Sequence, residues 1–179
     1  MSTETGIAIE LDVKAISDEG VFTGYASTFD NEDLCKDVVL PGAFTKSLER
    51  RPPGRVKLLR GHDQSEPIGV WTDIREDAKG LHATGKLILD TVKGHETYAL
   101  MKAGAMDGLS IGFRSLKDTF DRAKGVRFLK ELDLPEISIV TFPMNPRATV
   151  STVKSEAADA HARAIVSAVN RAKEALRQL

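Results

Sequence analysis

Apolar and polar residues alternate in short segments from about residue 5 to residue 150. Alternation with a period of two is typical of strands that pack one face on a core. The alternating segments are 7–13, 21–26, 56–59, 68–71, 81–87 and 109–113, and residues 137–142 predict a further strand that is buried on both faces. Glycines interrupt several of them, as in strands that bend strongly. We therefore predict an α+β, mainly β fold: a closed or strongly curved antiparallel β-barrel of about seven strands with a few surrounding helices.

Three segments have helical spacing instead. Residues 43–50 and 91–103 predict short helices, and Gly104 follows the second where a helix stop is expected. In residues 155–179 small and apolar residues recur in a 4-3 spacing typical of a coiled-coil seam: Ala158, Ala162, Ile165, Val169, Ala172, Leu176 and Leu179. This amphipathic helix either packs on its own barrel or contacts a partner. We predict a barrel domain over 1–154 and a C-terminal helix over 155–179.

Charge and composition exclude several classes of function. The chain has 25 Lys and Arg against 26 Asp and Glu, a net charge of -1, which disfavours a general nucleic-acid binder. The single cysteine, Cys35, rules out an internal disulfide and fits a reducing compartment. No apolar run approaches the roughly 18 residues of a membrane span, and the residues after Met1 are polar. We expect a soluble cytoplasmic protein with no membrane partner.

The four histidines differ in how well their sequence context fits catalysis or metal binding. His62 follows an apolar strand and stands next to Gly61, a good position from which to present an imidazole into a cleft. His95-Glu96 begins like the zinc motif H-E-x-x-H, but the second histidine position is Ala99. With no cysteine pair either, we expect neither a metal nor another cofactor.

A serine lies in the sequence Gly108-Leu109-Ser110-Ile111-Gly112, which matches the G-x-S-x-G pattern of the nucleophile elbow. An elbow needs a helix directly after the serine, whereas here the alternation continues and predicts a strand. The glycines leave room for a substrate backbone beside Ser110. A serine hydroxyl needs a base to take its proton, and His62 is the best one available. The alternative is a small polar residue on a glycine-rich strand.

A third group should orient the imidazole. Glu131, Asp133 and Glu136 precede or enter the strand 137–142, and Asp63 is adjacent to His62. Neighbouring side chains on an extended strand point apart, so Asp63 is the less natural partner. Glu136 is favoured because it leads directly into the buried strand.

Five blocks of sequence together resemble one family. They are Gly24-Tyr25-Ala26-Ser27-Thr28-Phe29, Asp37-Val38-Val39-Leu40-Pro41-Gly42-Ala43-Phe44, Gly61-His62-Asp63 before Pro67-Ile68-Gly69, residues 105–113 around Ser110, and residues 136–146. In this order, over about residues 7–154, they resemble the prohead (capsid maturation) serine proteases of tailed bacteriophages and prophages. The resemblance implies a distant kinship with herpesvirus assemblin, a barrel surrounded by helices.

The resemblance also implies residue roles. The family's serine and histidine fall on Ser110 and His62. Assemblin uses a second histidine as its third member; none lies near the matching strand here, so Glu136 would serve instead. The implied oxyanion loop covers residues 145–148, and because Pro146 has no N–H, the amides of Arg147 and Ala148 are the expected donors. Arg114 would place a water or a substrate carbonyl.

We therefore expect a serine endopeptidase that cleaves scaffold and major capsid protein segments, and itself, inside an assembling prohead in the host cytoplasm. A homodimer or higher oligomer is left open. Two alternatives are a non-catalytic capsid assembly factor with the same fold and a small esterase or amidase.

Overall fold

A computed structural model of the protein describes residues 16–151. This part of the chain contains eight strands, two α-helices and one 3₁₀ turn. In chain order they are β1 (Val21–Thr28), β2 (Asp37–Val39), α1 (Thr45–Arg50), the 3₁₀ turn (Pro53–Arg55), β3 (Lys57–Arg60), β4 (Asp63–Glu76), β5 (Gly80–Leu87), α2 (Val92–Lys102), β6 (Gly108–Asp121), β7 (Val126–Val140) and β8 (Val150–Ser151). Among the described residues, no helix is long and apolar enough to cross a membrane.

The strands form one strongly curled sheet organised around the long strand β7. The hairpin partner β6 runs antiparallel along one edge of β7. The other edge is shared by two short strands that both run parallel to it, β2 beside residues 127–129 and β3 beside residues 136–139. From β3 the sheet continues through antiparallel pairs to β4, β5 and β1.

The short strand β8 bridges the two ends of this sheet. It pairs with β1 at Gly24 and Val150. On its other side, Leu109 N–H donates to the carbonyl of Ala148, and Val150 N–H donates to the carbonyl of Asp107, each at 2.9 Å. The first residues of β6, including Ser110, are thereby held between β7 and the chain leading into β8.

A core of aliphatic and aromatic side chains fills the inside of the curled sheet. Its largest fully buried members include Trp71, Phe22, Phe44, Leu109 and Ile137, and the rings of Phe22 and Trp71 meet edge to face at 5.6 Å. Burial of such side chains is the main favourable contribution to folding. The strands β3, β6 and β7 each place residues in this core, Leu58, Leu109 and Ile137 among them.

The predicted mainly-β, strongly curved fold with few helices is confirmed, with local differences. The pairings of β2 and β3 with β7 are parallel, whereas we expected an antiparallel barrel. The strand predicted over 137–142 ends at Val140 and leaves Phe142 87% exposed. The predicted strand 7–13, the helix 155–179 and the boundary between the 1–154 and 155–179 units lie outside the described residues and stay predictions.

Candidate active site

His62 is presented by a tight turn between β3 and β4. Arg60 and Asp63 are paired across the hairpin, so Gly61 and His62 form a two-residue loop. Their φ angles are 62° and 64°, and positive φ at both central residues is what a type I′ turn requires. Gly61 N–H donates to the carbonyl of Ile139 at 2.9 Å, which ties the turn to β7.

Ser110 and Glu136 lie on the antiparallel neighbours β6 and β7. Ser110 is directly opposite Ser138, and Gly112 is directly opposite Glu136. A Cβ atom added at Gly112 would lie 2.6 Å from the carboxyl carbon of Glu136, and closer still to Oε1. Glycine at this position therefore leaves the space that the Glu136 carboxylate occupies, which explains the second glycine of the G-x-S-x-G sequence.

Ser110, His62 and Glu136 form one hydrogen-bonded chain. The Ser110 Oγ lies 2.9 Å from His62 Nε2, and His62 Nδ1 lies 2.6 Å from Glu136 Oε1. A carboxylate only accepts hydrogen bonds, so Nδ1 carries the proton and Nε2 is free to accept from the serine hydroxyl. This is the serine–base–acid arrangement that activates a hydroxyl for nucleophilic attack.

The three groups differ in their exposure to solvent. Ser110 is 6% exposed, the Glu136 side chain 13% and the His62 side chain 40%. The hydrogen bond from Glu136 raises the pKa of His62 above its ordinary value, and partial burial of the imidazole opposes that rise. The direction of this pKa shift favours proton transfer to the imidazole, and its exposed side leaves room for a leaving group.

Ser138 is a fourth member of this arrangement, and it was not predicted from the sequence. It is fully buried, donates from Oγ to Glu136 Oε2 at 2.8 Å, and accepts the backbone N–H of His62 at 3.1 Å. One hydroxyl thus fixes both the acid and the backbone of the base. Its position two residues after Glu136 places both side chains on one face of β7, a signal that could have revealed it.

The other carboxylates considered for the third position contact different partners. Asp63 accepts hydrogen bonds from the backbone and hydroxyl of Ser65. Two further ion pairs tie β7 to the α1 region, Glu131 with Lys46 at 2.8 Å and Asp133 with Arg51 at 2.7 Å.

The residues expected to bind the oxyanion and the substrate, Arg147, Ala148 and Arg114, are not joined to Ser110 by hydrogen bonds as His62 is. Arg147 N–H donates to Asn145 Oδ1 at 3.0 Å, and Ala148 N–H donates to the Asn145 carbonyl at 2.9 Å, so both amides already have acceptors. Arg114 is exposed. It lies opposite Asp133 in the β6–β7 register, beyond an irregularity in that register that follows Gly112.

Between residues 16 and 151, no three His, Cys, Asp or Glu side chains are grouped as metal ligands. His82 lies 2.9 Å from the Thr23 hydroxyl through Nε2, and burial is the main cause that lowers its pKa. His82 is therefore part of the β1–β5 packing.

Fold and site together define a class: a curled β-sheet protein with a serine-hydrolase-type triad. Residues 9–163 match the family described as caudovirus prohead serine protease. The chain belongs to the caudovirus prohead serine protease family, as the sequence blocks indicated.

Relatives within this family are similar over most of this chain. The prohead protease of Enterobacteria phage HK97 is 36% identical over 150 residues, 82% of this chain and 66% of the relative. The prohead protease of Escherichia phage T5 is 31% identical over 142 residues, 78% of this chain and 66% of the relative. A capsid polyprotein of Pseudomonas phage PAJU2 is 35% identical over 153 residues, which are 22% of its length. The chain thus spans at most about two thirds of these relatives.

Solved structures share the fold at low sequence identity. The bacteriophage T4 capsid assembly protease, gp21, is similar over 67% of this chain and 80% of its own, with a TM-score of 0.56 and 15% identity. The KSHV protease in complex with a hexapeptide phosphonate inhibitor is similar over 83% of this chain and 76% of its own, with a TM-score of 0.52 and 14% identity. Both likenesses support the curled-sheet architecture.

Proposed function

We propose that the protein is a serine endopeptidase that cleaves scaffold and major capsid protein segments, and itself, during prohead maturation. The observation that carries this proposal is the hydrogen-bonded chain of Ser110, His62 and Glu136. Membership of the prohead protease family supplies the setting, and the similar sequence within a phage capsid polyprotein supports capsid segments and the chain itself as substrates.

In the proposed reaction, His62 Nε2 takes the proton of Ser110 as Oγ attacks the scissile carbonyl. The tetrahedral intermediate collapses when the C–N bond breaks and the leaving amine receives that proton from His62. A water then attacks the acyl-enzyme while His62 takes a proton from that water. The ester bond breaks, His62 returns the proton to Ser110 Oγ, and the carboxylic acid product leaves. Glu136 keeps the imidazole oriented and stabilises its protonated form.

The negative oxygen of the intermediate needs hydrogen-bond donors, each typically worth about 10²–10³ in turnover. The amides of Arg147 and Ala148 remain our proposed donors. Because both now donate to Asn145, the loop would have to turn these N–H groups toward Ser110 when substrate binds. Arg114 is the proposed contact for a water or a substrate carbonyl.

Co-expression with the cognate major capsid protein tests the proposed activity. We expect a shortened capsid protein, detected by intact mass, with the wild-type chain and none with Ser110→Ala or His62→Ala. Ser115→Ala is the matched control, since Ser115 lies on the same strand and its hydroxyl donates to Asp118 instead. Capsid protein left intact by the wild type would favour a non-catalytic assembly factor. Cleavage that persists in Ser110→Ala would overturn the site.

A further inference from the structure

A cavity of about 210 Å³ is lined by Ser110. Its walls are largely apolar, and the residues Leu109, Ile111, Phe113 and Met144 are among those that line it. Ligand pockets commonly combine such apolar walls with a few polar groups that decide which ligand binds. The cavity is therefore suited to a side chain with a long hydrocarbon stem.

The position of the cavity relative to the triad identifies the part of a substrate that it would take. Ser110 and Asn145 line it, whereas His62 does not. His62 gives its proton to the departing amine, so the leaving half of a substrate must lie over the imidazole. The acyl half lies on the other side of the serine. A side chain entering this cavity would thus belong to the residue whose carbonyl is attacked, the P1 residue.

Three charged residues line the same cavity, and two of them neutralise each other. Arg127 donates from Nε to Asp37 Oδ1 at 2.8 Å and from Nη2 to Asp37 Oδ2 at 2.5 Å. Such a two-point pair leaves neither partner free to bind a substrate charge strongly. An acidic P1 side chain would have to compete with Asp37 for Arg127.

The third charged residue, Asp33, is the one left to recognise a ligand. Its Oδ1 accepts the backbone N–H groups of Cys35 and Asp37 at 2.8 and 2.9 Å, which fixes the carboxylate at the cavity wall. Within the described residues, Oδ2 accepts no hydrogen bond and Asp33 forms no ion pair. Partial burial is the main cause that raises the pKa of this carboxyl. A cation placed at Oδ2 would supply the missing partner.

We propose that this cavity is the P1 pocket and that Asp33 makes it selective for a basic side chain. The hydrocarbon stem of a lysine or arginine would lie along the apolar walls while its charged end reaches Asp33 Oδ2. This inference rests on the proposed endopeptidase function, because it assigns specificity to the same serine.

Matched peptidyl phosphonates test the pocket directly. Two diphenyl phosphonates share the same peptide and carry lysine or norleucine at P1, so that they differ only in the ammonium group. The rate of adduct formation on Ser110, followed by intact mass, should be roughly ten- to a hundredfold higher for the lysine probe, the range expected for a hydrogen bond to a charged group. In Asp33→Asn this preference should vanish, so that the two probes react with Ser110 at similar rates.

Asp121→Asn is the control for Asp33→Asn. Asp121 also accepts two backbone N–H groups through Oδ1, at the far end of the β6–β7 hairpin, and it does not line the cavity. Equal rates for the two probes, or a lysine preference that survives in Asp33→Asn, would overturn the P1 assignment. If neither these probes nor a small fluorophosphonate labels Ser110, and co-expressed capsid protein also stays uncut, the proposed endopeptidase function itself fails.

Discussion

The substitution Gly112→Ala would show whether Glu136 acts through its position. An alanine Cβ would stand 2.6 Å from the Glu136 carboxyl carbon, whereas ordinary contacts at a Cβ begin near 3.4 Å. The carboxyl group is the far end of a flexible side chain, so it should retreat by about 1 Å or more while the β-strands stay paired. A displacement of this size at a catalytic group costs about 10²-fold in rate.

The retreat should also break the 2.6 Å hydrogen bond between His62 Nδ1 and Glu136. That bond is the main cause of the raised pKa of His62, so the pKa should fall in the variant. His62 must be neutral to act as a base, and the acid limb of kcat/KM follows its pKa. We therefore expect the limb to move to lower pH while the plateau drops about 10²-fold. Thermal unfolding should show a folded protein.

The assay is hydrolysis of a fluorogenic peptide across pH, with Gly54→Ala as the control, because a Cβ at Gly54 would meet nothing within 4 Å. The double variant Gly112→Ala/Glu136→Gln should be no slower than Glu136→Gln alone, since both changes remove the same contact. A Gly112→Ala enzyme with the wild-type pH profile and rate would refute this reasoning. So would additive losses in the double variant.

Substitutions at three positions test the remaining contacts. Glu136→Gln should lower kcat by about 10²–10⁴-fold and shift the acid limb of the kcat/KM profile to lower pH, because the imidazole loses the partner that orients it and raises its pKa. An acid limb at the wild-type pH would contradict this. Ser138→Ala should reduce the free energy of unfolding by about 1–3 kcal/mol and lower kcat more than it raises KM, because the N–H of His62 and one oxygen of Glu136 lose their partner. Denaturant titration measures the first effect and steady-state kinetics the second. Unchanged values would count against the role of this hydroxyl. His62→Gly and His62→Ala should both be inactive. The glycine variant should be the more stable of the two by about 1 kcal/mol, because φ is 64° at this position and glycine adopts positive φ without strain. Equal melting temperatures of the two variants would contradict this.

The parts of the fold and site that could be predicted from sequence are those encoded locally. Alternation marks each strand that packs one face on the core, which located β1, β3, β5 and the start of β6. A histidine beside a glycine at a strand end identified His62, and Ser110 followed from continued alternation after it. Neither inference needs to know which strands are neighbours.

Pairing between distant strands could not be predicted in this way. β2 and β3 are far from β7 in sequence, and no local pattern reveals that both run parallel to it. The outer part of the β6–β7 hairpin is largely exposed, so residues 114–121 lack the alternation that indicates a strand. Spacing in the sequence puts Ser138 on the same face of β7 as Glu136, but only the β6–β7 register places it opposite Ser110. Likewise, only the fold places Asp33 at the cavity that Ser110 lines.

Fluorophosphonate labelling of the intact chain, read by intact mass and peptide mapping, tests the central claim most directly. We predict a single adduct on Ser110 in the wild type, its absence in Ser110→Ala and His62→Ala, and its retention in Ser115→Ala. A reaction that survives in His62→Ala would show that this imidazole does not activate the serine. Labelling of a different serine, or none on a folded wild-type chain that also leaves capsid protein uncut, would contradict the account.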